Sequence, residues 1–214
     1  MENSHPPRIS FRGAGHALFD DVGTARGILR ASDTPYNRRT LFRTFFAAVE
    51  ATMFMLKHIP LEAVARSPRL FTHAELSVLM EETPTLQENG TVTVRSRFEH
   101  IAANLRFLAS ALGRVSKRFP SVPVSHASWA AFQRSVRVRN RVVHPKRHAD
   151  VVITDAELAD LYAAEAWFRT WVNAVFKVAT RRLKLSTERI TRRVARLDSV
   201  LKGLRKVPPL KESG

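Results

Sequence analysis

"TPYNRRTLFRTFFAAVEATMFMLK", residues 34–57, sets the fold class. Thr34 followed by Pro35 is a helix-start signal, because a threonine hydroxyl can accept from an orphan amide and proline suits the first helical turn. Leu41, Phe42, Phe45, Val49, Met53 and Leu56 then recur at helical spacing, so the stretch reads as one long core helix with its aromatic residues turned inward. Its polar strip carries Arg39, Arg43, Glu50 and Lys57.

The same periodicity recurs on both sides. "FTHAELSVLMEE" (71–82) carries a capping box from Thr72 to Glu75, with Phe71 and Leu76 placed to staple the start of a short helix. "ENGTVTV" (88–94) is the one extended stretch: Asn89-Gly90 tolerates positive φ and the residues after it are β-branched, so a small hairpin or loop is expected. From Ser96 onward Phe98, Ile101, Leu105, Leu108, Leu112 and Val115 trace another helical stripe, ended by "RFPSVP". Ser125 or Ser128 is the expected cap of the next helix, on which Trp129, Phe132, Val136 and Val143 share a face. A second capping box, Thr154 to Glu157, opens a helix with Leu158, Leu161, Trp167, Trp171 and Val175 on its apolar stripe. Ile190, Val194, Leu197, Leu201 and Leu204 form a heptad-like seam on a last, basic helix.

Four to five main helices with short connections make an all-α bundle. The expected division is a partly helical N-terminal segment (1–34), a helical domain (35–184), and a basic C-terminal helix with its tail (185–214). The aromatic stripes, Phe42, Phe45, Phe46, Trp167 and Trp171, read as core rather than as base-stacking platforms.

The charge balance narrows the partner. Thirty-five Lys and Arg against 19 Asp and Glu leave +16 over 214 residues, which points to a polyanionic partner such as nucleic acid or an anionic membrane surface, nucleic acid being favoured. The excess is localised: residues 181–206 hold ten bases and two acids, and 134–148 hold six bases and no acid, so these two stretches supply 14 of the 16 charges. Cysteine is absent, which excludes disulfides, thiol nucleophiles and thiolate zinc sites. The start, "MENSHPPRISFRG", lacks the apolar run of a signal peptide and no stretch is long and apolar enough for a membrane span, so a soluble cytoplasmic protein is expected.

Several familiar chemistries are missing as well. "GAGHALF" lacks the third glycine and the preceding strand of a dinucleotide fingerprint, and no Walker loop, HExxH or EF-hand loop occurs. His144 and His148 have a zinc-like interval, but Pro145 breaks the helix between them and no third ligand is evident; neither metal nor cofactor is expected.

What remains lies in "VRVRNRVVHPKRHAD" (136–150), where Arg139, Asn140 and His144 stand in the order Arg-Asn-x-x-x-His-Pro. Here the chain resembles the HEPN superfamily, whose diagnostic motif is an arginine, four to six intervening residues and a histidine, commonly with a polar residue directly after the arginine. The resemblance extends to "RRTLFRTFFAAVEATMFMLK" and to the tryptophan-bearing helical stretch after the motif, and covers about residues 35–180. Arg95 and His100 have the same spacing but sit at the start of an expected helix and lack a polar residue of the Asn type after the arginine, where Ser96 stands, so that pair is read as a decoy.

At about 100° per residue, Arg139 and His144 do not share a helix face whereas Asn140 and His144 do. Two antiparallel copies would bring the complementary flanks together, in line with the composite dimeric site that the resemblance implies. It also implies metal-independent endoribonuclease activity yielding 2′,3′-cyclic phosphate and 5′-hydroxyl ends, in a toxin or phage-defence effector acting on tRNA or messenger RNA. His144 would transfer protons and Arg139 would stabilise the transition state, since imidazole titrates near neutrality and guanidinium matches phosphate oxygens in pairs. Asn140 either positions His144 or a phosphate, or caps the helix end. Glu50 is either a solvated charge or, as the resemblance suggests, a partner for Arg139. Arg137, Arg141, Lys146 and Arg147 are expected to position phosphates, and Arg192, Arg193 and Arg196 to form an RNA-gripping arm unless the seam docks a partner. Some members carry a tyrosine two residues after the histidine, the target of a nucleotidyltransferase antitoxin; position 146 here is lysine, so an acidic antitoxin or regulatory partner would act by another route. The alternative reading is a non-catalytic nucleic-acid-binding module or a protein-interaction subunit.

Overall fold

The computed structural model describes residues 11–96 and 100–204. The fold is all-α in class: among the described residues, six α-helices are accompanied by one two-stranded hairpin. The helices are α1 (Phe11–Ala31), α2 (Pro35–Val64), α3 (His73–Met80), α4 (Ile101–Val115), α5 (Ala127–Val143) and α6 (Asp155–Leu204), and the hairpin comprises β1 (Glu82–Leu86) and β2 (Val92–Ser96).

The long helix α2 starts where its cap was expected, with the Thr34 hydroxyl accepting from the Asn37 amide at 3.2 Å. It runs seven residues beyond Lys57, through a buried Pro60 that leaves one carbonyl of the preceding turn without its helical donor. Phe42, Phe45 and Phe46 are buried as the periodicity requires. Phe45 lies edge-on to Phe168 of α6 at 6.3 Å between ring centroids, Phe46 meets Phe132 of α5 at 6.0 Å, and Phe132 stacks on Phe168 at 6.2 Å. Trp129 and Trp167, 5.5 Å apart, extend this aromatic core. Lys57 departs from the expected polar strip: it is 1% exposed, and its ammonium donates to Glu81 Oε1 at 2.8 Å and to the Val78 carbonyl at 3.1 Å. The turn after α3 folds back over α2 at that point, so a position that is polar on the isolated helix becomes interior.

In the N-terminal segment the described helix covers Phe11–Ala31. Helix α1 buries Val22, Ala25 and Leu29, spaced three and four apart, and packs along α2 across the short connection 32–34. Both capping boxes form: Thr72 and Glu75 exchange bonds at the start of α3, and Thr154 and Glu157 do so at the start of α6. Helix α3 ends at Met80 because Glu81 adopts the left-handed conformation, φ 57°. The hairpin follows, with Leu86 paired to Val92 and Gly90 at φ 77° in its turn. Helix α4 begins at Ile101 instead of Ser96, since Arg95 and Ser96 belong to β2; Phe98 lies outside the described residues.

Helix α5 is capped by His126, whose Nδ1 accepts from the Ser128 amide at 3.1 Å, and not by Ser125 or Ser128. An imidazole nitrogen serves as acceptor as well as a hydroxyl does. Val143, expected on the apolar face, is exposed, and Val138 and Val142 are buried in its stead. The basic C-terminal stretch is not a separate helix: α6 crosses position 185 without interruption, because 155–202 contain neither proline nor glycine. The chain divides into one compact unit ending at Val172 and a second starting at Asn173. The first holds the bundle; the second comprises the basic part of α6, whose seam side chains lie outside the described residues.

Candidate active site

Helix α5 delivers the motif at its C-terminal end. Its buried face runs through Trp129, Phe132 and Val136, and the next step at the same spacing is Arg139, where the core meets solvent. Phe46 against Phe132 sets α2 beside α5, and one turn beyond Phe46 stands Glu50. Glu50 Oε1 accepts from Arg139 Nη2 at 2.7 Å, so Glu50 is not an isolated solvated charge. The pair is half-exposed, with 24% of the Arg139 side chain and 43% of the Glu50 side chain accessible. Arg139 Nη1 donates to Asn140 Oδ1 at 3.2 Å. Asn140 therefore turns its amide to the arginine and not to His144, as the long guanidinium arm folds across the 100° that separates neighbouring helix positions. Two acceptors orient Arg139, and its remaining N–H groups are free for a further anion.

His144 closes the helix. Its amide donates to the Asn140 carbonyl at 3.0 Å, its backbone leaves helical geometry at φ −123° and ψ 60°, and Pro145 prevents a further turn. The imidazole is exposed, and among the described residues it has no hydrogen-bond or ion-pair partner. The following loop is held firmly all the same. Asp150 Oδ2 accepts from the amides of Lys146 and Arg147 at 2.9 and 3.0 Å, and the first of these bonds is the main reason its carboxyl stays below the usual aspartate range.

Four consecutive carbonyls complete the anchorage. Those of Asp150 and Val152 accept from Arg141 at 3.0 and 2.6 Å, that of Val151 from Arg39 at 3.2 Å, and that of Ile153 from Arg38 at 2.9 Å. The remaining Arg141 donors meet both oxygens of Glu157, at 2.9 and 3.2 Å. Burial pushes the Glu157 carboxyl up, but Arg141 and Thr154 together more than offset it, and the net direction is down. The expectation that Arg141 positions phosphate thus meets a guanidinium with four of its five N–H groups on protein acceptors. Arg38 also bridges Asp33 and Asp155, and Arg134 pairs with Asp160 at 2.6 Å.

The cations left facing solvent are Arg137, Lys146 and Arg147, the last with its side chain 83% exposed and only a 3.9 Å approach to Asp150. Together with His144 they rim the end of α5. Arg192, in the second unit, is 78% exposed beside Glu188 at 3.7 Å; the side chains of Arg193 and Arg196 lie outside the described residues. Arg95 and His100 fall on β2 and before α4, both exposed, and share no contact among the described residues. No group of three or more His, Asp or Glu side chains among the described residues is arranged to hold a metal, and no described helix is long and apolar enough to cross a membrane. The roles of Arg38, Arg39 and Asp150 were missed in the sequence; the one available signal was that Asp150 is the first acid after the basic run.

No protein-family model matches the chain, and no curated protein or solved structure is significantly similar to it.

Proposed function

We propose that the chain is a metal-independent endoribonuclease built on a HEPN-like helical bundle, working as a homodimer and leaving 2′,3′-cyclic phosphate and 5′-hydroxyl ends on tRNA or messenger RNA. The observation that carries this reading is Arg139 held by Glu50 and Asn140 at the end of the same helix that presents an exposed, unpartnered His144. A guanidinium fixed on two sides keeps its geometry when phosphate arrives, which is the condition for stabilising charge on a pentacoordinate phosphorane without reorganisation. An accessible imidazole can accept a proton from the 2′-hydroxyl or donate one to the departing 5′-oxygen. The 2′-oxygen forms the new bond to phosphorus as the bond to the 5′-oxygen breaks, so one proton leaves the first oxygen and one reaches the second.

Two proton roles call for two imidazoles, and a two-fold axis near the end of α5 would supply both together with two arginines. Arg137, Lys146 and Arg147 would hold flanking phosphates, and the basic part of α6 would grip RNA on its own unit. The toxin or phage-defence setting and an acidic regulatory partner are proposed on the same resemblance.

Incubation of the purified protein with total RNA in excess chelator tests the reading. New cyclic-phosphate ends are expected from the native chain and not from His144→Ala or Arg139→Ala, each losing about 10²-fold or more. Cleavage retained in both variants would reject the mechanism. RNA binding without new ends would favour a non-catalytic binding module, a reading supported by the exposed cations alone.

A further inference from the structure

A second arginine cluster lies away from the end of α5, within the first unit. Helix α1 turns Arg26 and Arg30, one turn apart, toward a face of α6 bearing Tyr162, Glu165, Ala166 and Arg169, and these six residues line a cleft of about 410 Å³. That volume falls in the range of small-molecule sites. Neither Arg139 nor His144 belongs to it.

The cleft is built around a buried carboxylate. Glu165 is 1% exposed; one of its oxygens accepts from Arg169 Nε at 2.8 Å and the other is ion-paired to Arg26. The two arginines are further fixed by rings: Arg169 lies 4.4 Å over Phe19 and also donates to the Phe19 carbonyl at 3.3 Å, and Arg26 lies 5.8 Å from the centre of the Tyr162 ring.

Three features are surplus to a structural ion pair. Arg26 Nε is buried and has no acceptor among the described residues, a rare state for a charged donor. Arg30 is exposed on the rim with no protein partner among the described residues. Three guanidiniums face one carboxylate, so the lining carries an excess of positive charge that is unfavourable until an anion enters. Beside these stands Tyr162, 37% exposed, whose ring edge borders the cleft and whose hydroxyl has no hydrogen-bond partner among the described residues.

We propose that this cleft binds a small phosphate dianion, a phosphomonoester, with Arg30 and the free edges of Arg26 and Arg169 on its oxygens and Tyr162 beside the group that carries it. Paired donors on planar forks match the tetrahedral oxygens of phosphate, and Glu165 holds two of the forks in place before the ligand arrives. The adjoining face of α1 leaves room for it, since a Cβ at Gly23 or Gly27 would meet nothing within 4 Å.

Calorimetric titration of the full chain at low ionic strength, with inorganic phosphate in one arm and adenosine 5′-monophosphate in the other, tests the site. Saturable one-to-one binding is expected, weakened about tenfold in Arg30→Ala, the loss of one charge-assisted bond. Arg30→Ala should keep the native melting temperature, because Arg30 contacts nothing that holds the fold. Arg106→Ala, at an exposed position of α4 outside both sites, should bind as the native chain does. Tighter binding of the nucleotide than of phosphate would identify a nucleotide as the carrier, and equal binding would identify the phosphate alone; either supports the site. No saturation below about 10 mM, or an equal loss in Arg30→Ala and Arg106→Ala, would overturn it. The ribonuclease assay is indifferent to these outcomes, so the two proposals fail separately.

Discussion

Arg137, Arg139 and Arg141 alternate along five residues and share one chemistry, yet each has a different surrounding. Arg139 is held by Glu50 and Asn140, Arg141 gives four of its five N–H groups to Asp150, Val152 and Glu157, and Arg137 faces water. Their substitutions should separate accordingly. Arg141→Ala strands two loop carbonyls and a partly buried carboxylate, and should cost about 2 kcal/mol in a urea titration. Arg137→Ala should leave that midpoint within about 0.5 kcal/mol of native while weakening RNA binding. Glu50→Gln keeps a hydrogen-bond acceptor but removes the charge; the half-exposed pair contributes about 1 kcal/mol at most, so stability should hold while cleavage drops about tenfold. Buried hydroxyls give the opposite sign. Ser135 and Thr52 are 0% and 1% exposed and their oxygens find no partner among the described residues, so Ser135→Ala and Thr52→Val should be neutral or raise the melting temperature.

Among the elements, the segment from Pro145 to Thr154 is the most revealing, because it has little regular structure and is nevertheless fixed. Asp150 gathers two amides and three arginines gather four carbonyls, which satisfies a backbone that neither a helix nor a strand could satisfy. The result is a rigid platform after His144 and a defined start for α6. The hairpin is the weaker element, with Leu86, Val92 and Val94 exposed and no second sheet among the described residues to cover them. Gly90→Ala places a side chain at φ 77° and should cost about 1 kcal/mol, and Thr72→Ala, removing the α3 cap, about as much; hydrogen exchange should show local opening in each segment.

Across the bundle, arginine–carboxylate contacts make stability depend on acid in one direction. Asp33, Asp150 and Asp160 and the glutamates Glu75 and Glu157 all lie below their ordinary ranges, held down by hydrogen bonds from arginine side chains or backbone amides. A carboxyl depressed in the folded state contributes fully above its unfolded value and loses that contribution as pH falls through the folded one. Thermal stability should therefore be flat through neutrality and fall away below about pH 4. If the proposed function holds, RNA affinity should drop steeply with salt, and the proposed two-fold site requires a dimer; sedimentation at assay concentration should then find two copies, with a monomer that cleaves RNA contradicting the two-fold arrangement.

Local regularities were readable in the chain. The spacing of Leu41, Phe42, Phe45, Val49, Met53 and Leu56 announced α2 and its buried face, Thr72–Glu75 and Thr154–Glu157 marked two helix starts, and Asn89-Gly90 marked the hairpin turn, because each is a contact between residues at most a few positions apart. The motif of Arg139, Asn140 and His144 was equally plain as a pattern. Periodicity did not reveal its partners, and Glu50 was open as one only through the resemblance. Glu50 is 89 positions from Arg139, Lys57 is 24 from Glu81, and Arg38 is 115 from Ile153. Periodicity says which way a side chain points from its own helix, but which charge is neutralised, buried or left to meet a ligand depends on the acceptor that another element brings to it, and that is settled only when the helices pack.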